Sequence, residues 1–245
     1  MSCLNMAAGI RLGILSLGHY MKNIYEEMYS RDNKVDLIKN PRILEMVNMI
    51  DRLNLKHKNI LDIGCYDGTF LSMIKNKENY FYGLEASEYG YEASLKKGIA
   101  VKKFYVNDDV ALPYENDFFE LAAAGEVIEH IYDTDHFLSE VGRILKPSGK
   151  FLISTPNIAS FGRRLLLLIG KNPLLEISVE AGNAGHIRYF TFETLKQMLE
   201  KNNFQILKSK SDIINFSSRG KPSSKFLAQA FPKFGQSIIC LVKKT

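Results

Sequence analysis

The residues best placed to do chemistry form a glycine-containing loop and a carboxylate further along the chain. The loop, Asp62-Ile63-Gly64-Cys65-Tyr66-Asp67-Gly68, follows an apolar run and precedes a helical pattern. A strand, a glycine turn and a helix N-terminus in this order bring backbone N–H groups close to a ligand. Glu85 ends the next apolar run, 17 positions after Gly68, where a carboxylate can accept both hydroxyls of a ribose. Together they predict a nucleoside-binding site on a parallel sheet.

Polar residues also follow two later strand-like runs. Asn107, Asp108 and Asp109 follow one run, and Glu126 follows the other, with His130 close behind. Polar side chains just after such strands lie at the carboxyl edge of the sheet, where ligands bind. A carboxylate at 108 or 109 can accept a hydrogen bond from an exocyclic amine such as that of adenine, although a capping turn is the alternative. His130 has a catalytic and a structural interpretation, and both stay open.

The rest of the sequence supplies the elements that must position these side chains. Strand-like apolar runs occur at 59–63, 80–84, 101–106, 118–124, 149–154, 204–209 and 236–242. Helical patterns occur at 20–29, 41–53, 68–75, 88–97, 134–145 and 191–202. Alternating strands and helices predict an α/β fold, a mostly parallel sheet with helices on both faces. Lys146-Pro147-Ser148-Gly149 predicts the joint between a helix and a strand, because Pro and Gly do not continue a helix.

Composition narrows the class of protein. The chain has 245 residues and is 46% hydrophobic, which suits one α/β domain. The cysteines, Cys3, Cys65 and Cys240, are scattered without metal spacing, which favours a reduced, cytoplasmic protein. No apolar run approaches the ~20 residues of a membrane span. Residues 1–18 lack the charged start of a signal peptide, and we interpret them as a frayed or helical extension.

The positive charge is concentrated at the C-terminal end. Residues 201–245 hold nine Lys or Arg and one acid, a charge of +8, so the net charge of +5 leaves −3 for the rest. A basic end can attract phosphate or anionic lipid. A solvated surface is the commoner reason for such a charge, so nucleic-acid binding is not expected.

Five stretches of the sequence resemble the class I S-adenosylmethionine-dependent methyltransferases, in the group that includes ubiquinone-biosynthesis O-methyltransferases. They lie at residues 61–68, 83–85, 109–114, 126–130 and 143–157, in the order and spacing of that family, and cover about residues 40–210. The resemblance implies a Rossmann-like, seven-stranded, mostly parallel sheet with one antiparallel strand near the C-terminus. It also implies S-adenosyl-L-methionine as the cofactor. A single domain, 1–245, would then comprise a helical extension (1–40), a cofactor-binding core (41–158) and an acceptor-side insertion with the last strands (159–245).

The resemblance assigns roles to individual residues. It implies a cofactor site made of Asp62, Gly64, Cys65, Tyr66, Gly68, Glu85, Ala86, Asn107, Asp108, Asp109, Glu126 and Val127. Residues 62–68 would hold the methionine part, Glu85 the ribose, and Asp108 the adenine amine, with Asp109 as a close rival. Many members have Gly where this chain has Tyr66. Since Tyr adopts φ > 0 only at a cost, the loop is expected to bend differently or to approach the ligand elsewhere.

Two later stretches are expected to shape the site of the methyl acceptor. Residues 160–170 contain Arg163 and Arg164 before an apolar run, which suits a lid with an anion clamp. Packing on the domain and contact with a membrane surface are the alternatives. Further on, His186 and Arg188 share one side of an extended segment, and similar methyltransferases have a Gly-His-x-Arg-x-Phe stretch near the substrate opening.

His186 is the first candidate for a catalytic base, ahead of His130, although a structural role for His186 is equally compatible with the sequence. Arg188, Tyr20 and Arg164 are the candidates for binding the acceptor. The spacing of Cys, His and acidic residues predicts no metal site.

The predicted function is methyl transfer to an oxygen or nitrogen of a small-molecule, lipid or glycan acceptor. A nicotinamide-dependent oxidoreductase is one alternative, disfavoured because residues 64–68 read Gly-Cys-Tyr-Asp-Gly and lack the Gly-x-Gly-x-x-Gly spacing. A non-catalytic protein that binds S-adenosylmethionine is another.

Overall fold

A seven-stranded sheet forms the centre of the computed structural model, which describes residues 36–107, 110–173, 185–216 and 222–245. The strands are β1 (Asn59–Ile63), β2 (Tyr80–Glu85), β3 (Ala100–Lys103), β4 (Phe119–Gly125), β5 (Leu145–Pro156), β6 (Phe204–Lys210) and β7 (Ser237–Lys244). Their order is β3-β2-β1-β4-β5-β7-β6. The first five are parallel, and β7 runs antiparallel to both β5 and β6. The predicted fold class, with its antiparallel strand near the C-terminus, is confirmed.

Helices flank the sheet on both faces. They are α1 (Pro41–Asp51), α2 (Thr69–Met73), α3 (Glu88–Lys96), α4 (Thr134–Ile144), α5 (Phe161–Leu168), α6 (Phe192–Lys201) and α7 (Lys225–Ala230). Single 3₁₀ turns lie at Leu37–Lys39, Ile128–His130 and Pro232–Phe234, and Ile214–Asn215 pairs with Ser223–Ser224. The sequence dictates several helix starts, because side chains of N-cap residues accept hydrogen bonds from the first turn. Asn40 does so for α1 and Ser87 for α3.

Two hydrophobic layers form because alternate residues of each strand point to opposite faces. Leu61 and Ile63 of β1 face the layer that contains α4 and α6, whereas Ile60 faces the layer that contains α1 and α2. Phe119 and Phe151 are fully buried in the first layer. Burying such a side chain contributes about 1.5–3 kcal/mol each. The two layers fix the sheet, and so the carboxyl edge at which the candidate site lies.

The elements differ from the prediction mainly at their ends. The predicted start of the fifth strand at 149 is wrong, since β5 begins at Leu145 and runs through the Pro-containing joint. A register irregularity between Phe119 and Leu121 lets Leu145 pair with Phe119 ahead of the regular ladder, and Ser148 absorbs the turn with φ 61°. The third strand ends at Lys103, before its predicted end at 106.

The stretch around 160–170 forms helix α5, in which three of the four leucines are exposed. Leu167 and Leu168 are 56% and 81% exposed, whereas the ring of Phe161 lies against Phe216 and Phe234. Among the described residues, none of the helices is long and apolar enough to cross a membrane. The predicted helix at 20–29, as well as Asp108 and Asp109, lies outside the described residues.

Candidate active site

A cavity of about 370 Å³ opens at the carboxyl edge of β1, β2 and β4. Parallel sheets bind ligands at this edge, and the volume falls in the range of small-molecule sites. The residues lining the cavity come from the loop after β1, the end of β2, the stretch 104–107, the end of β4, helix α1 and His186. One cavity therefore joins most of the residues that the sequence singled out.

The glycine loop lies against β2 and the end of β4. The N–H groups of Gly64 and Cys65 both donate to the carbonyl of Leu84, at 2.8 and 3.0 Å. Gly64 has φ 74°, and a Cβ placed there would lie 2.8 Å from Cγ2 of Val127. Tyr66 itself adopts φ 46°, so the loop takes a left-handed conformation at a residue with a large side chain. The loop thus presents backbone where side chains would fill the space.

Glu85 ties the loop to the start of α3. Its Oε2 accepts a hydrogen bond from the N–H of Tyr66 at 2.7 Å, and its Oε1 accepts bonds from the N–H and Oγ of Ser87 at 2.8 and 2.7 Å. Burial raises the pKa of Glu85, and these hydrogen bonds oppose the rise. A carboxylate offers about four acceptor positions, so these bonds, with a further contact from the backbone of Ala86, engage most of its capacity.

Arg42 and Asp62 are ionisable residues in the lining of the cavity. Arg42 Nε lies 3.5 Å from Glu126 Oε1, and its Nη1 donates to Ser154 Oγ at 3.1 Å. Asp62 is buried, and its burial, followed by the charge of Glu85, raises its pKa well above the ordinary value. Sequence reasoning missed Arg42, although it did place the start of α1, because the target of a side chain is set by the tertiary structure.

Glu129, His130 and His186 form the other end of the site. Glu129 is 1% exposed; its Oε2 accepts a hydrogen bond from Thr155 at 2.9 Å, and its Oε1 lies 3.8 Å from His186 Nε2. The rings of His130 and His186 are 4.8 Å apart between centroids. Burial and then the charge of Glu126 raise the pKa of Glu129, whereas burial and then His186 lower the pKa of His130 to about 4.

Backbone hydrogen bonds hold His186 beside this group. The N–H groups of Ile187 and Arg188 both donate to the carbonyl of Glu129, at 3.0 and 3.1 Å. Glu129 was not singled out from the sequence, although it stands next to His130 in the Glu-Val-Ile-Glu-His stretch. The signal was therefore present as a carboxylate adjacent to a candidate histidine.

Most of the predicted site residues meet at the cavity. Those lining it are Asp62, Gly64, Cys65, Tyr66, Glu85, Ala86, Asn107, Glu126, Val127, His130 and His186. Gly68 instead forms the N-cap of α2 with φ 72°. Asn107 lines the cavity with its amide engaged by the following turn, donating to the carbonyl of His130 and accepting from the N–H of Tyr132.

The predicted acceptor-binding residues are placed differently. Arg188 donates from its guanidinium to the carbonyls of Ile131 and Tyr132 and does not line the cavity. Arg164 donates to the carbonyl of Ala159 and lies over the ring of Phe234. Tyr20, Asp108 and Asp109 lie outside the described residues.

Comparisons with known sequences agree on one family. A family model described as a methyltransferase domain matches residues 40–209. Norajmaline N-methyltransferase of Rauvolfia serpentina is 32% identical over 45% of this chain and 40% of its own length. A ubiquinone biosynthesis O-methyltransferase of Pseudomonas fluorescens is 26% identical over 45% of this chain and 50% of its own length. This chain therefore spans about half the length of the curated relatives that it matches.

A solved structure shares the fold over nearly the whole chain. It is a SAM-dependent methyltransferase from Thermotoga maritima, described as a possible histamine N-methyltransferase, with a TM-score of 0.65 and 23% identity. The match covers 91% of this chain and 99% of that structure. At this level of identity, the likeness establishes the fold alone.

Proposed function

This chain belongs to the S-adenosylmethionine-dependent methyltransferases of the methyltransferase domain family, and from that premise we propose that it transfers a methyl group to an oxygen or nitrogen of a small-molecule acceptor. The observation that carries the proposal is that Glu85 and His186, from separate parts of the chain, line one continuous cavity. A cofactor and an acceptor bound along it would lie next to each other.

The residues at the Glu85 end fit S-adenosyl-L-methionine. Gly64 leaves room where any Cβ would meet Val127, and Glu85 borders the space in which the ribose hydroxyls would lie. Asp62 would lie beside the methionine part, and residues 104–107 supply an apolar wall followed by an amide for the adenine. When bound, the cofactor supplies an electrophilic methyl group on a sulfonium.

The task of the protein is then mainly to hold the acceptor in line with that methyl group, a proximity and orientation effect. His186 would accept the acceptor's proton or position the atom that carries it, with His130 as the second candidate. Glu129, 3.8 Å from His186 Nε2, would orient the imidazole. Arg188 as a ligand for an anionic acceptor remains a prediction, and it would require the guanidinium to leave its two carbonyl partners.

A small molecule is the acceptor class that the comparisons favour. Relatives are named for methylation of norajmaline and for ubiquinone biosynthesis, and the cavity volume suits acceptors of modest size. A lipid and a glycan are the alternative acceptor classes. The exposed leucines of α5 and the basic C-terminal end would suit a lipid acceptor presented at an anionic surface.

Calorimetry and a labelling screen together test the proposal. We expect S-adenosylhomocysteine to bind the purified chain and NADH to bind far more weakly or not at all. Extracts treated with the protein and methyl-labelled cofactor should then yield a labelled small molecule whose structure identifies the methylated atom. NADH binding as tight as that of S-adenosylhomocysteine would favour the oxidoreductase, and a folded protein that binds neither would refute the proposal.

A further inference from the structure

Three side chains of the kinds that bind metal ions meet at the acceptor end of the cavity. Glu129, His130 and His186 each offer one ligand atom, and these atoms lie within 4.8 Å of one another. Across residues 36–107, 110–173, 185–216 and 222–245, no second group of His, Cys, Asp and Glu side chains is arranged in this way. We call these three residues the Glu129 cluster.

One oxygen of the cluster lacks a hydrogen-bond partner. In the part of the chain that the structure describes, Glu129 Oε1 is buried and accepts no hydrogen bond, whereas its Oε2 is bound by Thr155. Oε1 lies 3.8 Å from His186 Nε2, beyond hydrogen-bond distance. An unsatisfied buried acceptor of this kind destabilises the folded state. A buried carboxylate whose ligand atom lies within 4.8 Å of those of two imidazoles is an arrangement that a cation would complete.

The orientation of His130 supports the same interpretation. Its Nδ1 lies 3.2 Å from the carbonyl oxygen of Gly185. Because a carbonyl can only accept, Nδ1 carries the proton and the lone pair of the neutral ring is on Nε2. Metal-bound histidines commonly donate their other N–H to a carbonyl or carboxylate, which fixes the ring orientation.

We propose that the Glu129 cluster binds one divalent first-row transition ion, such as Zn²⁺, Mn²⁺ or Co²⁺, beside the bound acceptor. Two imidazoles and a carboxylate suit such ions, whereas Ca²⁺ and Mg²⁺ prefer sites made of oxygen ligands. With bond lengths of about 2.0–2.2 Å, ligand atoms on one ion lie within about 4.4 Å of each other. Binding would therefore draw the three groups slightly together.

Such an ion indicates that the acceptor carries a hydroxyl group, an inference that rests on the proposed function. Three protein ligands leave a coordination position, and His130 and His186 line the cavity. A hydroxyl oxygen that binds there would have its pKa lowered, and its proton would pass to water. The oxygen lone pair would then form the C–O bond as the C–S bond breaks, with that electron pair remaining on sulfur. In this scheme the ion activates the hydroxyl and His186 serves as its ligand.

Metal titration of the chelator-treated full chain tests the proposal. Calorimetry with Zn²⁺ should show one equivalent bound, and Co²⁺ should give a visible absorption spectrum with nitrogen ligands. Glu129→Gln and His186→Ala should each weaken Zn²⁺ binding by at least about tenfold. His57→Ala is the matched control, because His57 is 69% exposed and lies away from the cavity. S-adenosylhomocysteine is titrated into every variant in parallel.

Each outcome decides one question. Stoichiometric Zn²⁺ binding that is lost in His186→Ala and kept in His57→Ala supports the metal site. Absence of such binding in the wild type, or equal affinity of these two variants, overturns it. If Glu129→Gln fails to fold, the Co²⁺ spectrum of the wild type and the His186→Ala titration still decide whether the Glu129 cluster binds a metal ion. S-adenosylhomocysteine binding separates the two proposals, because it tests the proposed function and does not depend on the Glu129 cluster.

Discussion

At the Glu85 end of the cavity the polar groups come from neighbouring parts of the chain, whereas at the His186 end they come from segments far apart in sequence. Glu85 takes its hydrogen bonds from Tyr66 and Ser87, and the pairing of β1 with β2 brings all three together. The polar groups of this end are already engaged. It is therefore preorganised to receive a ligand with little rearrangement.

The His186 end is assembled from three places. Glu129 follows β4, its Oε2 is held by Thr155 of β5, and His186 is positioned by the bonds from residues 187 and 188 to the Glu129 carbonyl. Within the described residues it retains a buried carboxylate oxygen without a hydrogen-bond partner. On the proposed function, the difference assigns cofactor binding to one end and methyl transfer to the other. Changes at the two ends should therefore separate binding from transfer.

The largest effect is expected at the His186 end. His186→Ala should slow methyl transfer to an identified acceptor by about 10²–10⁴-fold, because it removes either the proton acceptor or a ligand of the ion. The affinity for S-adenosylhomocysteine should stay near the wild-type value, as measured by calorimetry. Melting temperatures are compared with those of His57→Ala, so that a structural loss is recognised. A folded variant with the wild-type rate would place the acceptor elsewhere, with residues 160–170 as the next region to test.

A smaller effect is expected at the Glu85 end. Glu85→Ala removes a charge-assisted bond to the ribose, worth roughly 1.5–3 kcal/mol. The affinity for S-adenosylhomocysteine should fall about ten- to a hundred-fold. Glu88→Ala, three positions on with a side chain that is 56% exposed, is the matched control. Since Glu85 also holds the N–H of Tyr66, Glu85→Gln separates loss of charge from loss of the loop contact. Unchanged affinity in a folded Glu85→Ala protein would contradict the ribose assignment.

The smallest effect concerns the stability of the cavity lining. Burial and the nearby Glu85 raise the pKa of Asp62, so the folded state favours the protonated carboxyl and loses stability as pH rises through that raised value. Asp62→Asn stays neutral and lacks this loss. The melting temperature of the variant should therefore rise relative to that of the wild type as the pH increases above about 4, by about 2–4 °C for each 1 kcal/mol. A constant difference across that range would show that Asp62 is not strained by its burial.

Much of the fold was determined by local sequence. The seven strands were located because each is a short apolar run, and the helices because their apolar residues recur with helical spacing. The glycine loop and Glu85 were identified for the same reason, since a turn and the acid at the end of the next strand are short-range features. The start of β5 was misplaced because a register irregularity between two strands is a property of the pair.

The tertiary structure alone decided the His186 end of the cavity. Nothing in the chain near Glu129 indicates that His186 returns to lie 3.8 Å from its carboxylate, or that Arg42 reaches Glu126 from the first helix. Arg188 is an example in the other direction. The sequence suggested that it binds an anionic acceptor, but in the structure it donates to two backbone carbonyls. Local patterns record which element a residue belongs to. Which side chains share a cavity depends on the order of strands and the path of connections, and these arise only when the two hydrophobic layers close around the sheet.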